Sequence, residues 1–230
     1  MKASEIFLLC SGVLQDLANP TGERWPWAIT AGVVSMTDLF NSAVREIALQ
    51  RPDATAHTEA IKLGNGVMQA LPVNGVNGAS KTALRLIEVI QNMGSDGLTP
   101  GEPIFISAKD AMKAFDWTTT GTEIDNYAYD AVANPSTYWV YPGVTTGENV
   151  YISMTYSAEP TSITGPDDDV PLPETFAGPI KDWILYQVFA GDNSDANFAK
   201  AQHRFNAFYQ SLGVKLKADL FYPKQVKVVE

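Results

Sequence analysis

Apolar residues recur at helical spacing at both ends of this chain, and in short or alternating runs divided by Gly, Pro and Asn through its middle. That change of period constrains the fold most, because a helix buries a stripe that repeats about every 3.6 residues and a strand one that repeats every two. Near the start, Ile6, Leu9, Cys10, Val13, Leu14 and Leu17 form one stripe and predict a first core helix. After the turn-rich NPTGERWPW, a second helix is expected in SMTDLFNSAVREIALQRPD, burying Leu39, Phe40, Ala43, Val44, Ile47 and Ala48. Ser35 or Thr37 caps it and Pro52 stops it. In ETFAGPIKDWILYQVFA, Phe176, Ile180, Trp183, Ile184 and Val188 share a face, and Pro179 starts or kinks the helix. In SDANFAKAQHRFNAFYQSLG, Phe198, Ala201, Phe205, Phe208, Tyr209 and Leu212 line one side, with Ser194 placed to cap and Gly213 to end it.

Between these pairs, ATAHTEAIKL, VMQAL, PIFIS, NYAYD, TYWVYPG and ENVYISMTYSAEP read as strands, with one short helix at AKDAMKAFD capped by Ser107. The segment TALRLIEVIQNM matches a helical period at Leu86, Ile87, Val89, Ile90 and Met93. The expected class is α+β: a four-helix bundle from residues 1–53 and 170–213, a mainly antiparallel β-domain over 54–169, and an extended C-terminal tail, 214–230.

A chain of 230 residues with 45% hydrophobic and 18% charged residues can build one substantial core or two small ones without disulfides. The single cysteine, Cys10, excludes an internal disulfide, and a reducing compartment suits it. Glu5 interrupts the apolar run before Cys10 and no small-residue cleavage site follows, so the start reads as the helix of an unprocessed protein, and no run reaches transmembrane length. The net charge of −10 opposes a grip on nucleic acid. Its distribution is uneven: residues 214–230 carry four Lys against Asp219 and Glu230, leaving a net of −12 for 1–213.

GVNGASKT, residues 75–82, is one substitution from the phosphate-cradling pattern G-x-x-x-x-G-K-[ST], with Ser80 in place of the final Gly. A phosphate loop also needs a parallel sheet, a helix beginning at its Lys and a strand ending in a magnesium-binding Asp, and the consecutive strands here supply no such context. The stretch therefore reads as an expanded surface turn whose Lys81 faces solvent or a neighbouring subunit. Asp167, Asp168 and Asp169 read as a solvated acidic linker, since no calcium-loop continuation follows. His57 and His203 fall in no metal or triad spacing. No catalytic residue, cofactor or metal is assigned. The last stretch, VKLKADLFYPKQVKVVE, alternates locally and reads as a frayed end or as a segment that packs on another chain.

The strings NSAVREIALQRPDA (41–54), LRLIEVIQNMGSDGLTPGEPI (84–104), TYWVYPGV (137–144), MTYSAEP (154–160) and VPLPETFAGPIKDWILYQVFAGD (170–192), in this order, resemble the phage adaptor proteins, also called head-to-tail connectors or tail tubular proteins of the A type. The resemblance runs from the first helix to Gly213, with VNGVNGASKT and WPWAITAGV standing as expansions against it. It implies a structural virion protein of the neck, made in the host cytoplasm. Such a protein assembles as a ring of about twelve copies that joins portal to tail or nozzle and lets DNA pass without specific binding. It implies that LRLIEVIQNM is a strand rather than a helix. It also makes the tail the portal-binding element, through Val214, Lys215, Leu216, Lys217, Leu220, Phe221, Tyr222, Lys224, Val226, Lys227 and Val228. Trp25, Trp27 and Lys81 become candidate subunit or tail contacts, and no membrane is involved. Two other readings stand beside it: a carbohydrate- or receptor-binding module using Tyr138, Trp139 and Tyr141, and an adaptor that also degrades peptidoglycan.

Overall fold

The computed structural model describes residues 1–16, 25–191 and 195–221, the last eight by backbone only. In chain order these contain helices α1 (Ala3–Leu14) and α2 (Met36–Gln50) and strands β1 (Ala56–Lys62), β2 (Gly66–Ala70), β3 (Ala83–Asn92) and β4 (Phe105–Ile106). There follow the one-turn helix α3 (Lys109–Met112), strands β5 (Thr120–Gly121), β6 (Asn126–Tyr129), β7 (Thr137–Val144) and β8 (Tyr151–Ala158), and helices α4 (Ala177–Ala190) and α5 (Asp195–Phe221). The chain divides into two compact units, Met1–Arg51 with Pro160–Glu230, and Pro52–Glu159. The class is α+β.

In the helical unit, α4 packs against α1, α2 and α5. One helix thus meets the other three, and the four-helix bundle expected is not confirmed by these contacts. Helix α2 forms as its spacing predicts: Leu39, Phe40, Ala43, Val44, Ile47 and Ala48 are buried. Its capping residue is Ser35, whose hydroxyl accepts the Asp38 N–H at 3.1 Å while the Asp38 carboxylate accepts the Ser35 N–H at 3.0 Å. Thr37 is buried instead, donating to the Trp27 carbonyl. Pro179 lies in the first turn of α4, where its missing N–H costs no helical hydrogen bond.

Three expectations for the helices are corrected. Helix α1 turns Ala3, Ile6, Phe7, Cys10 and Ser11 inward and leaves Leu8, Leu9 and Val13 exposed, because it is apolar around most of its girth and spacing alone picks no face. Helix α5 buries Ala201, Phe208 and Leu212 but leaves Phe198 exposed on its first turn. The same helix passes through Gly213 to Phe221, so residues 214–221 are helical rather than extended. A lone interior Gly costs a helix only about 1 kcal/mol, and Lys215, Leu216, Lys217, Ala218 and Leu220 are good helix formers. Ser194 and residues 222–230 lie outside the described residues, as does Leu17.

The strand-bearing unit holds two sheets. One has the order β1-β8-β3 and is antiparallel; the other has the order β2-β7-β6-β4, with β5 beside β7. The two short strands β4 and β5 run parallel to β6 and β7. Ile61, Leu86, Val89, Tyr127, Tyr138, Val140, Ile152, Met154 and Tyr156 form its core. Helix α3 is shorter than expected and begins after Ala108; the hydroxyl of Ser107 meets the Asn126 side chain at 3.0 Å instead of capping it.

Strand β3 explains its own misleading period. Its residues Ala83, Arg85, Leu86, Glu88, Val89, Gln91 and Asn92 pair with successive residues of β8 from Ala158 back to Ile152, and Leu84, Ile87 and Ile90 are skipped. Three regular bulges turn a two-residue alternation into a three-residue one, which imitates a helix on paper. The strand implied by the resemblance is the one present.

Each unit carries one buried asparagine that reads a distant peptide group. Asn41 donates to the Ile163 carbonyl and accepts its N–H, both at 2.9 Å. Asn92 donates to the Ile124 carbonyl at 2.8 Å and accepts its N–H at 2.9 Å. Removing such an amide strands a buried donor and a buried acceptor together. Asn41→Ala and Asn92→Ala are each expected to lose roughly 2–4 kcal/mol in urea denaturation. Hydrogen exchange should accelerate mainly in the unit that holds the substituted residue.

Candidate functional site

The alternation of β1 turns His57, Glu59 and Ile61 toward the core side of its sheet, so a histidine and a carboxylate line up with an isoleucine. Tyr156 of β8 lies opposite His57. The connection from β2 to β3, residues 71–82, folds over this end of the core: Leu71, Pro72 and Ala79 are buried while residues 73–78 are exposed.

Glu59 is the anchor of that loop. Its two carboxylate oxygens accept the Ser80 N–H at 3.0 and 3.1 Å, and one of them also accepts the Tyr156 hydroxyl. His57 Nε2 lies 3.0 Å from Ser80 Oγ and 3.5 Å from Glu59 Oε2. The Tyr156 oxygen also reaches the Lys81 carbonyl at 3.2 Å. Burial raises the Glu59 pKa, but the hydrogen bonds from Tyr156 and Ser80 outweigh it and leave the carboxyl below its ordinary value. Burial, followed by the hydrogen bond to Glu59 and then its charge, pushes the Tyr156 hydroxyl up.

This geometry decides two chemical readings. For phosphate binding, the loop's amides would have to point at a ligand; here the Gly75 N–H goes to the Ala79 carbonyl at 2.9 Å, the Ala79 N–H to Val76 at 3.0 Å and the Ser80 N–H to Glu59. Lys81 leads into a strand, not a helix, and its side chain is exposed. For acyl transfer, Ser80, His57 and Glu59 would need the serine on one ring nitrogen and the carboxylate on the other. Both meet Nε2, and the Ser80 amide is already committed to the carboxylate. The cluster is a loop clamp. The one sequence signal for it was a Glu on the inward phase of a predicted strand.

The other candidates are dispersed. Trp27 packs edge-on against Phe7 with ring centroids 6.0 Å apart and donates from Nε1 to Ser11 Oγ at 3.1 Å, so it fastens its segment to α1. Trp25 donates its N–H to the Asp16 carboxylate at 2.9 Å. Tyr138 is fully buried and Tyr141 stacks on Phe115, while Trp139 lines a recess with Trp117. Asp168 accepts from the N–H and hydroxyl of Thr164 and from the Gly165 N–H, and Asp169 pairs with Lys2 at 2.9 Å. That acidic linker therefore has a structural task, holding the start of α1. Cys10 is buried, which pushes its thiol up to about 12 and away from nucleophilic use. Among the described residues no group of His, Cys, Asp or Glu is placed to hold a metal ion, and no helix is long and apolar enough to cross a membrane. Of the tail residues, Val214, Lys215, Leu216, Lys217, Leu220 and Phe221 lie on α5, and Tyr222, Lys224, Val226, Lys227 and Val228 fall outside the described residues.

The model of the SU10 adaptor protein family matches residues 8–225, which span both units. No curated protein matches the chain.

A carboxyl held below its ordinary pKa stabilises the fold above the unfolded value and loses that contribution as pH falls through the folded one. Glu59→Gln is expected to cost roughly 1–2 kcal/mol at neutral pH. The gap to the unsubstituted protein should close as pH drops below the ordinary 4.5 of glutamate, in thermal melts across pH. Amide exchange at Ser80 should quicken in the same variant.

Proposed function

Since this chain belongs to the SU10 adaptor protein family, a family of phage head-to-tail adaptors, we propose that it joins the portal to the tail as a ring in the virion neck and forms part of the DNA channel. The carrying observation is the extent of the match, which leaves out only residues 1–7 and 226–230 and so covers the helical unit, the strand-bearing unit and most of the basic tail. A phage structural adaptor works through surfaces, and a loop locked by a carboxylate is a surface device.

Charge supports the conduit reading. The strand-bearing unit carries 5 Lys and Arg against 12 Asp and Glu, a net of −7 of the chain's −10. An acidic surface repels DNA phosphates, whereas a basic one would hold them. The helical unit is the candidate ring wall, arranged as a bundle in each of about twelve copies. Residues 214–230 are the candidate portal-binding element, with helix to Phe221 and four lysines in all. A groove lined by apolar and acidic residues suits such a segment, and repeating one modest contact around a ring multiplies its strength.

Purified chain mixed with portal should give rings on the portal in negative stain, and the absence of any ring would overturn the proposal. Removing residues 214–230 should leave the circular dichroism spectrum and melting temperature of a folded protein while abolishing capture by portal in a pull-down. Undiminished capture would remove the tail from the interface.

A further inference from the structure

Two exposed features of the strand-bearing unit are complementary. The first is a knob. In the loop 73–82, Val73 and Val76 are about half exposed, on a turn closed by the Val76 N–H to the Val73 carbonyl at 2.9 Å and clamped to Glu59 through Ser80. Lys81 is the loop's only charged residue.

The second is a recess. Trp139 of β7 alternates with the fully buried Tyr138 and Val140, so it lies on the opposite face of its sheet from the core. On that face Met68 and Ala128 flank it across the ladder, and Met68 is 65% exposed. Met112, Lys113 and Trp117 close the recess over Ala128 and Trp139 to about 190 Å³, room for a branched apolar side chain. Local contacts shape its rim. The Asp116 carboxylate accepts the Thr118 N–H at 3.0 Å and hydroxyl at 2.7 Å, which sets the turn bearing Trp117, and Lys113 pairs with Asp110 at 2.6 Å. The segment 108–130, which supplies Met112, Lys113, Trp117 and Ala128 to the recess, carries five acidic residues against Lys109 and Lys113, the net sign that complements Lys81.

We infer that the Val73–Val76 knob of one copy seats in the Trp117–Trp139 recess of the next, a head-to-tail contact between strand-bearing units. Knob and recess are different surfaces of one unit: the loop buries Ala79 in the core of the unit, while the recess lies on the outer face of the sheet. A contact between unlike surfaces is heterologous, and heterologous contacts propagate into rings when the rotation closes. The clamp then has a purpose, since a loop already ordered surrenders little conformational entropy on docking. This contact rests on the ring reading above but names the surface that makes it.

The test uses exposed positions, and buried Cys10 does not compete. Val76→Cys and Lys113→Cys variants, mixed and treated with a short bis-maleimide, are expected to give a covalent dimer that neither variant gives alone. No product from the mixture, or equal product from Val76→Cys alone, overturns the contact. In sedimentation of the otherwise unsubstituted chain, Val76→Asp and Trp117→Ala should each weaken self-association by at least about tenfold, and the double variant no further than either. Additive losses overturn it. Rings on portal without the cross-link defeat this contact and leave the adaptor reading standing, whereas the cross-link without rings does the reverse.

Discussion

Strand β8 is the element on which the strand-bearing unit is registered. It pairs with β1 along one side and β3 along the other, and its alternate residues Ile152, Met154, Tyr156 and Ala158 are all buried. Chain entering and leaving the sheet is stitched to its ends: the Leu63 N–H donates to Val150, the Met93 N–H to Tyr151 and the Glu159 N–H to the Thr82 carbonyl. A slip of one residue would turn every one of those side chains outward, so the register is strongly specified. Tyr156 then brings a hydroxyl into a buried position, where it must find an acceptor. Glu59 is that acceptor, and having been drawn out of water it collects the Ser80 amide as well. The loop conformation is thus a consequence of packing in β8.

Much of this was legible in the order of residues. Helices at the ends, strands between, the Ser35 cap and the inward face of α2 follow from period and capping chemistry, which are local properties. What period alone did not decide was nonlocal or ambiguous by nature. Bulges in β3 depend on its partner, and nothing within LRLIEVIQNM distinguishes a three-residue strand repeat from a helical one. The face of α1 is chosen by what it packs against, not by its own residues. The end of α5 was misplaced because Gly213 weakens a helix without stopping it.

The candidate site was less legible than the fold. GVNGASKT resembles a phosphate loop, yet the residue that determines its conformation is Glu59, more than a dozen positions earlier and unremarkable in sequence. Trp139 is one of three aromatics in TYWVY, but only the structure separates it from the buried Tyr138 and places it beside Trp117, 22 residues away. Side chains that alternate on a strand share a motif on paper and occupy opposite faces in space.

The proposed ring would impose a physical conflict on such a chain. Copies whose strand-bearing units each carry a net of −7 repel one another at long range, although salt limits that repulsion to about 8 Å under physiological conditions. Attraction between them must therefore be short-ranged, and apolar burial is the short-range term that charge does not oppose once water is excluded. In the proposed contact a single valine in an aromatic recess would contribute only about 1.5–3 kcal/mol, so two free molecules would associate only weakly against the cost of association. Around the proposed ring such contacts would add up, because each added copy makes one and the last makes two, the second without a further loss of freedom. Weak, preorganised contacts of this kind would leave free copies only loosely associated while letting a ring, once organised, persist.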